Sequence, residues 1–173
     1  MEVGNLEFIT SASGTSVSSL DVTDCFSDKY DVYYFALTKM KRASADNFII
    51  LRFLDSGGTV IDQAEYEYAA LEIRAYTTFL EARATNQTKI SEITYGSSNA
   101  SNIGGISLYV HNPYDSSSYT FLQNQSSSFR ASSGGWGNKT IAVHKVAEQI
   151  SGVRFQAEGV NLDTIEVSVY GVK

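Results

Sequence analysis

The stretch Phe48-Ile49-Ile50-Leu51-Arg52-Phe53-Leu54-Asp55-Ser56-Gly57-Gly58-Thr59-Val60-Ile61 decides the fold class. Its first seven residues are apolar on both faces of an extended chain, the pattern of a strand central in a sheet. Asp55-Ser56-Gly57-Gly58 is a strong hairpin turn signal, after which Thr59-Val60-Ile61 resumes the extended pattern. Residues 30–39 have the same two-faced apolar middle, in Val32-Tyr33-Tyr34-Phe35-Ala36-Leu37. Ile106, Leu108 and Val110 alternate with Ser107, Tyr109 and His111, which gives one buried and one mixed face. Residues 140–143, 153–157 and 165–170 are further clear strands. Weaker ones lie at 6–11, 17–22, 76–82, 90–95 and 119–126. The total is ten or eleven strands, joined by turns of Ser, Gly, Asn and Asp.

Composition points the same way. The 173 residues include 23 serines, 13 threonines, 11 tyrosines and 9 phenylalanines, a mixture of turn formers and residues that fit a pleated surface. No long window repeats with the 3.6-residue period of a helix. The expected fold is all-β, a jelly-roll-like antiparallel β-sandwich forming one domain over residues 1–173. Segment 65–73 stays open between a strand and a short helix. Residues 96–105, 112–118 and 130–138 are expected as polar loops, the second holding the sole proline, Pro113.

Several function classes fall away at this point. A net charge of −6 and a pI near 4.8 argue against nucleic acid, which needs clustered Lys and Arg. No apolar run reaches the ~18 residues of a spanning helix, so no membrane insertion is expected, and the amino end shows no secretory leader. One cysteine, Cys25, excludes an internal disulfide and a thiolate zinc cage, and is read as a buried apolar residue. Four Asn-x-Ser/Thr sequons read as a product of composition.

Catalytic and metal chemistry finds little support. His111 and His144 are the only histidines and have no ligand spacing; both read as surface or capping imidazoles. There is no G-x-S-x-G elbow and no phosphate loop. Asp21, Asp24, Asp28 and Asp31 lack the glycine and closing glutamate of a calcium loop and read as turn makers. Glu65 and Glu67, near Glu72 and Glu81, are the carboxylates a glycosidase reading would need, but Glu65 and Glu67 point the same way on one strand. Trp136, between Gly135 and Gly137, has two readings: an exposed stacking platform for a sugar or protein, or a ring folded back to close the core. Tyr114 beside Pro113 poses a weaker form of the same choice.

The carboxyl-terminal segment Ile150-Ser151-Gly152-Val153-Arg154-Phe155, then Gly159, Asn161 and Leu162, then Ile165-Glu166-Val167-Ser168-Val169-Tyr170-Gly171-Val172, resembles the closing strand pair of a family of bacteriophage virion proteins. These occur in phages of marine bacteria and cyanobacteria and end in the pattern I-x-G-[IV]-x-F … Y-G-[IV]. Residues 8–10, 16–22, 26–33 and 47–57 resemble the opening strands and the central strand and turn of the same family. The resemblance covers roughly the first 60 and last 25 residues and implies a jelly-roll-like sandwich in a phage particle, with no catalytic residues to carry over.

The expectation is therefore a non-enzymatic virion protein, a capsid decoration or cement module or a fibre knob that docks on other capsid or tail proteins. About five residues precede the first strand and Lys173 follows the last, too few for a shaft or anchoring arm, so attachment falls to faces or loops. A homotrimer is the usual arrangement of such modules. The alternative is a tail-associated module that binds a receptor or a host surface glycan through Trp136, Tyr114, Asn138, Asn112 and Asp115, grouped in loops at one end. Neither reading calls for a cofactor or metal.

Overall fold

The computed structural model describes residues 5–44, 47–98, 104–130 and 132–173. Among these, twelve strands alternate between two sheets, and none of the residues is helical. They are β1 (Leu6–Val17), β2 (Ser19–Val22), β3 (Val32–Arg42), β4 (Asn47–Asp55), β5 (Tyr66–Arg74), β6 (Leu80–Gln87), β7 (Ile90–Gly96), β8 (Gly105–His111), β9 (Thr120–Arg130), β10 (Gly134–His144), β11 (Ile150–Ala157) and β12 (Leu162–Val172).

The larger sheet has the order β1-β12-β3-β8-β9-β10-β5-β6 and the smaller one β2-β11-β4-β7. Every strand pair is antiparallel. The chain changes sheet at every step of β1–β2–β3–β4–β5, again at β6–β7–β8, and again at β10–β11–β12. This shuttling gives the jelly-roll order, β1-β12-β3-β8 facing β2-β11-β4-β7, with β9, β10, β5 and β6 extending the larger sheet beyond β8.

Period-two alternation builds the core. Tyr33, Phe35 and Leu37 of β3, Leu108 and Val110 of β8, and Val167 and Val169 of β12 face Leu51 and Phe53 of β4 and Val153 and Phe155 of β11, all at 0–2% exposure. Phe35 and Phe155 meet edge to face across the sheets at 6.4 Å. The two-faced apolar segments lie centrally as expected: β3 between β12 and β8, β4 between β11 and β7. Cys25 is part of the core, and burial pushes its thiol up to about 12.

Four expectations change. Segment 65–73 is strand β5 from Tyr66 onward. Residues 59–61 form only an isolated bridge, Leu54↔Val60, because the chain then leaves for the other sheet. The strand expected at 76–82 begins only at Leu80. The closing strands β11 and β12 do not pair with each other; β11 sits between β2 and β4, and β12 between β1 and β3. Gly171 also has a tighter role than relaxing the chain end. A Cβ there would lie 2.4 Å from the ring of Tyr30, so the buried tyrosine takes the space of the missing side chain.

Candidate functional site

In a sandwich, the outward face of each sheet is expected to be polar. The larger sheet departs from this along one row. The strand registers place Phe8, Tyr170, Tyr34, Tyr109, Gln123, Ile141, Ala69 and Arg83 side by side, one per strand across all eight strands. The four aromatic rings form a continuous ladder, with centroid separations of 5.7, 6.1 and 5.0 Å. Ile141 is 64% exposed and Phe8 58%. An adjacent row runs through Val32, His111, Phe121 and Val143. On the other flank, Ser168, Ala36, Ser107, Gln125, Lys139 and Leu71 make a more polar row. Shallow grooves of about 660 and 880 Å³ run along this face, bordered by Tyr109, Gln123, Ile141 and Arg83. Partial burial pulls the His111 imidazole below its ordinary value.

The five end-loop residues expected to bind a ligand do not form one site. Trp136 is 4% exposed and lies on β10, where positions 136, 138, 140, 142 and 144 point inward. Its flanking glycines are strand residues rather than parts of a flexible loop. A Cβ on Gly137 would lie 2.6 Å from the carbonyl of Ser126, so β9 and β10 approach this closely only with glycine there. The core-closing reading of Trp136 is the one the structure adopts. Asn138 is 0% exposed and accepts the indole N–H at 2.7 Å.

Tyr114, Asn112 and Asp115 lie on the β8–β9 turn, at the opposite end of the sandwich. Trp136 pairs with Ser128, eight residues along β9 from Thr120, a strand length of about 26 Å. Asn112 has φ +55 and its N–H donates to the carbonyl of Asp31 at 2.7 Å. The Asp115 carboxylate accepts from the N–H and hydroxyl of Ser117 at 2.8 and 2.7 Å, which lowers its pKa. These are turn-building bonds. Of the five, Tyr114, 38% exposed, and Asp115 are the exposed ones.

Two buried polar clusters were not legible in the sequence. The first surrounds Trp136. Asn138 donates to Glu92 Oε2 at 3.3 Å, and Thr140 donates to the Glu92 carbonyl at 2.6 Å. Arg74 stacks 4.3 Å over the indole while pairing with Glu72. Burial, reinforced by the charge on Glu72, raises Glu92 to about 7. A carboxyl with that pKa suits acid–base chemistry, but Glu92, Glu72 and Trp136 are all below 9% exposure. The cluster fills the space between sheets where β7 packs on β9, β10 and β5.

The second lies at the Tyr114 end. His144, wholly buried rather than at the surface, places Nε2 3.1 Å from Glu65 and 3.4 Å from Glu148. Burial raises the Glu148 pKa, and the proximity of Glu65 adds to the rise. This is the one group with metal-ligand spacing among the described residues. A cation on Nε2 would force the ring proton onto Nδ1, which is buried and has no hydrogen-bond partner. Metal-bound histidines normally donate that second N–H. The donor set therefore fits an Nε2–H shared between two carboxylates better than a metal. Glu67 is engaged separately, by Lys145 at 2.8 Å, and does not join the His144 group. Asp21 is likewise engaged, by a bidentate bond from Arg154 at 2.6 Å. No protein-family model, curated protein or solved structure matches this chain.

Proposed function

We propose that this chain is a non-enzymatic structural module of a bacteriophage particle, a decoration, cement or knob protein, and that it assembles through the outward face of its larger sheet. The observation that carries the assembly role is the row from Phe8 to Arg83. An apolar, partly aromatic band across a whole sheet face is the mark of an interface. The phage setting is supported by the carboxyl-terminal pattern, whose two strands occupy interior positions in the two sheets. The Glu92–Trp136 cluster is sealed between the sheets and His144 is buried behind Glu65 and Glu148, which supports a packing role.

The glycan-binding alternative loses its principal residue, because Trp136 is in the core, and Tyr114 alone does not make a sugar site. Mass spectrometry of purified particles of the encoding phage tests the proposal. The chain is expected at a stoichiometry comparable with other structural proteins. Its absence from washed particles would overturn the reading.

A further inference from the structure

The partner that covers the outward face can be read from the row itself. We infer that it is a second copy of this chain, packed face to face about a two-fold axis parallel to the strands and passing between β8 and β9. The inference rests on the assembly reading above.

The size fits. Eight strands about 4.8 Å apart span roughly 34 Å, and three rows of side chains cover roughly 20 Å along the strands. That area, about 700 Å² before the relief of the rings is counted, is the ceiling for this face and lies close to the ~800 Å² per partner of a standard interface. A two-fold interface is isologous, so the face must complement itself.

Among two-fold axes that set this row on itself with the strands of the two copies aligned, two directions are possible, along the strands and across them. With the axis parallel to the strands, β1 faces β6 of the second copy, β12 faces β5, β3 faces β10 and β8 faces β9. Phe8 then meets Arg83 of the second copy, Tyr170 meets Ala69, Tyr34 meets Ile141 and Tyr109 meets Gln123. The bulky aromatic half sits on the slim half, and the guanidinium lies over a phenyl ring. In the flanking rows, Lys139 meets Ala36, Glu81 meets Ser11, His111 meets Phe121 and Val32 meets Val143, so no like charges oppose. With the axis across the strands, each residue of the row meets its own copy: Arg83 faces Arg83, and Tyr34 collides with Tyr34. Charge and volume both select the first arrangement. Aligned sheets cross at about 30°, so the closest pairs are the central ones, Tyr34 with Ile141 and Tyr109 with Gln123.

Light scattering on the eluting full-length chain gives the first test. A mass of twice 18.9 kDa is expected. Ile141→Glu, at a position 64% exposed, is expected to weaken the dimer at least tenfold with an unchanged circular-dichroism spectrum. Geometry is tested with a short bis-maleimide. Tyr34 and Ile141 lie three strands apart within one chain, and Cys25 is buried. The Tyr34→Cys/Ile141→Cys variant should therefore cross-link between chains, and Tyr34→Cys alone should not. A trimer, equal cross-linking by the single variant, or a dimer that Ile141→Glu leaves intact would overturn the pairing. A monomer at about 100 μM, well above a micromolar Kd, would also overturn it. If that monomer is found in washed particles, only the identity of the partner fails and the assembly reading stands.

Discussion

The two faces of the larger sheet are built from the same strands and differ by one residue of register. The inward face packs Phe35, Leu108, Val110 and Val169 at 0% exposure against the smaller sheet. The outward face carries Phe8, Tyr109, Phe121 and Ile141 at 40–64% exposure, with no other described residue covering them. The inward face is apolar throughout and covered, whereas the outward face carries an uncovered apolar band among polar residues such as Gln123, Arg83 and Lys139. Covering apolar surface stabilises by about 25 cal/mol per Å², so the inward face accounts for folding, and the outward face is the one we propose for association.

The comparison breaks most visibly in the core. Phe155→Ala is expected to cost about 3–5 kcal/mol in chemical denaturation, because its ring spans the sheets against Phe35. Next comes the buried carboxyl. The folded-state pKa of Glu92, about 7, lies above its ordinary value of 4.5, so the folded chain binds more protons in that window. Stability should fall as pH rises from about 4.5 through 7, by up to about 3 kcal/mol. Glu92→Gln should flatten this slope in urea titrations run at several pH values. A wild-type slope of zero would contradict the placement of Glu92 between the sheets. Gly137→Ala should cost about 1–3 kcal/mol by forcing β9 and β10 apart.

Smaller effects sharpen the other side. Asp21→Asn removes a bidentate but one-third exposed pair with Arg154 and should cost less than about 1 kcal/mol. Phe121→Ser, on the outward face, should change the denaturation midpoint by less than the equivalent of about 0.5 kcal/mol while weakening association. A large loss of stability from Phe121→Ser would mean that the face belongs to the fold.

Most of the fold was legible because strand alternation is a local signal. Residues 30–39, 48–54, 106–110 and 165–170 announce their strands through neighbours two positions apart, and the all-β sandwich follows. The start of β10 was missed because Gly134-Gly135-Trp136-Gly137 has the composition of a loop. Its glycines answer to a close approach by β9, which local composition does not reveal. Segment 59–61 illustrates the same limit, since whether a strand continues or crosses to the other sheet depends on distant partners. The candidate interface was half visible. The mixed face of Tyr109 and His111 follows from alternation, but the eight-residue row requires the register of seven strand pairs. The His144 cluster joins His144 and Glu148, four residues apart outside any helix, to the distant Glu65, which no local spacing signals.

The most direct test of the proposed role is cryo-electron microscopy of the phage particle proposed to carry this chain, at a resolution that orients the sandwich. The account predicts that the face bearing Tyr109 and Ile141 is covered by protein wherever the chain sits. A chain held by its end loops or its smaller sheet, with Tyr109 and Ile141 facing solvent, would contradict it.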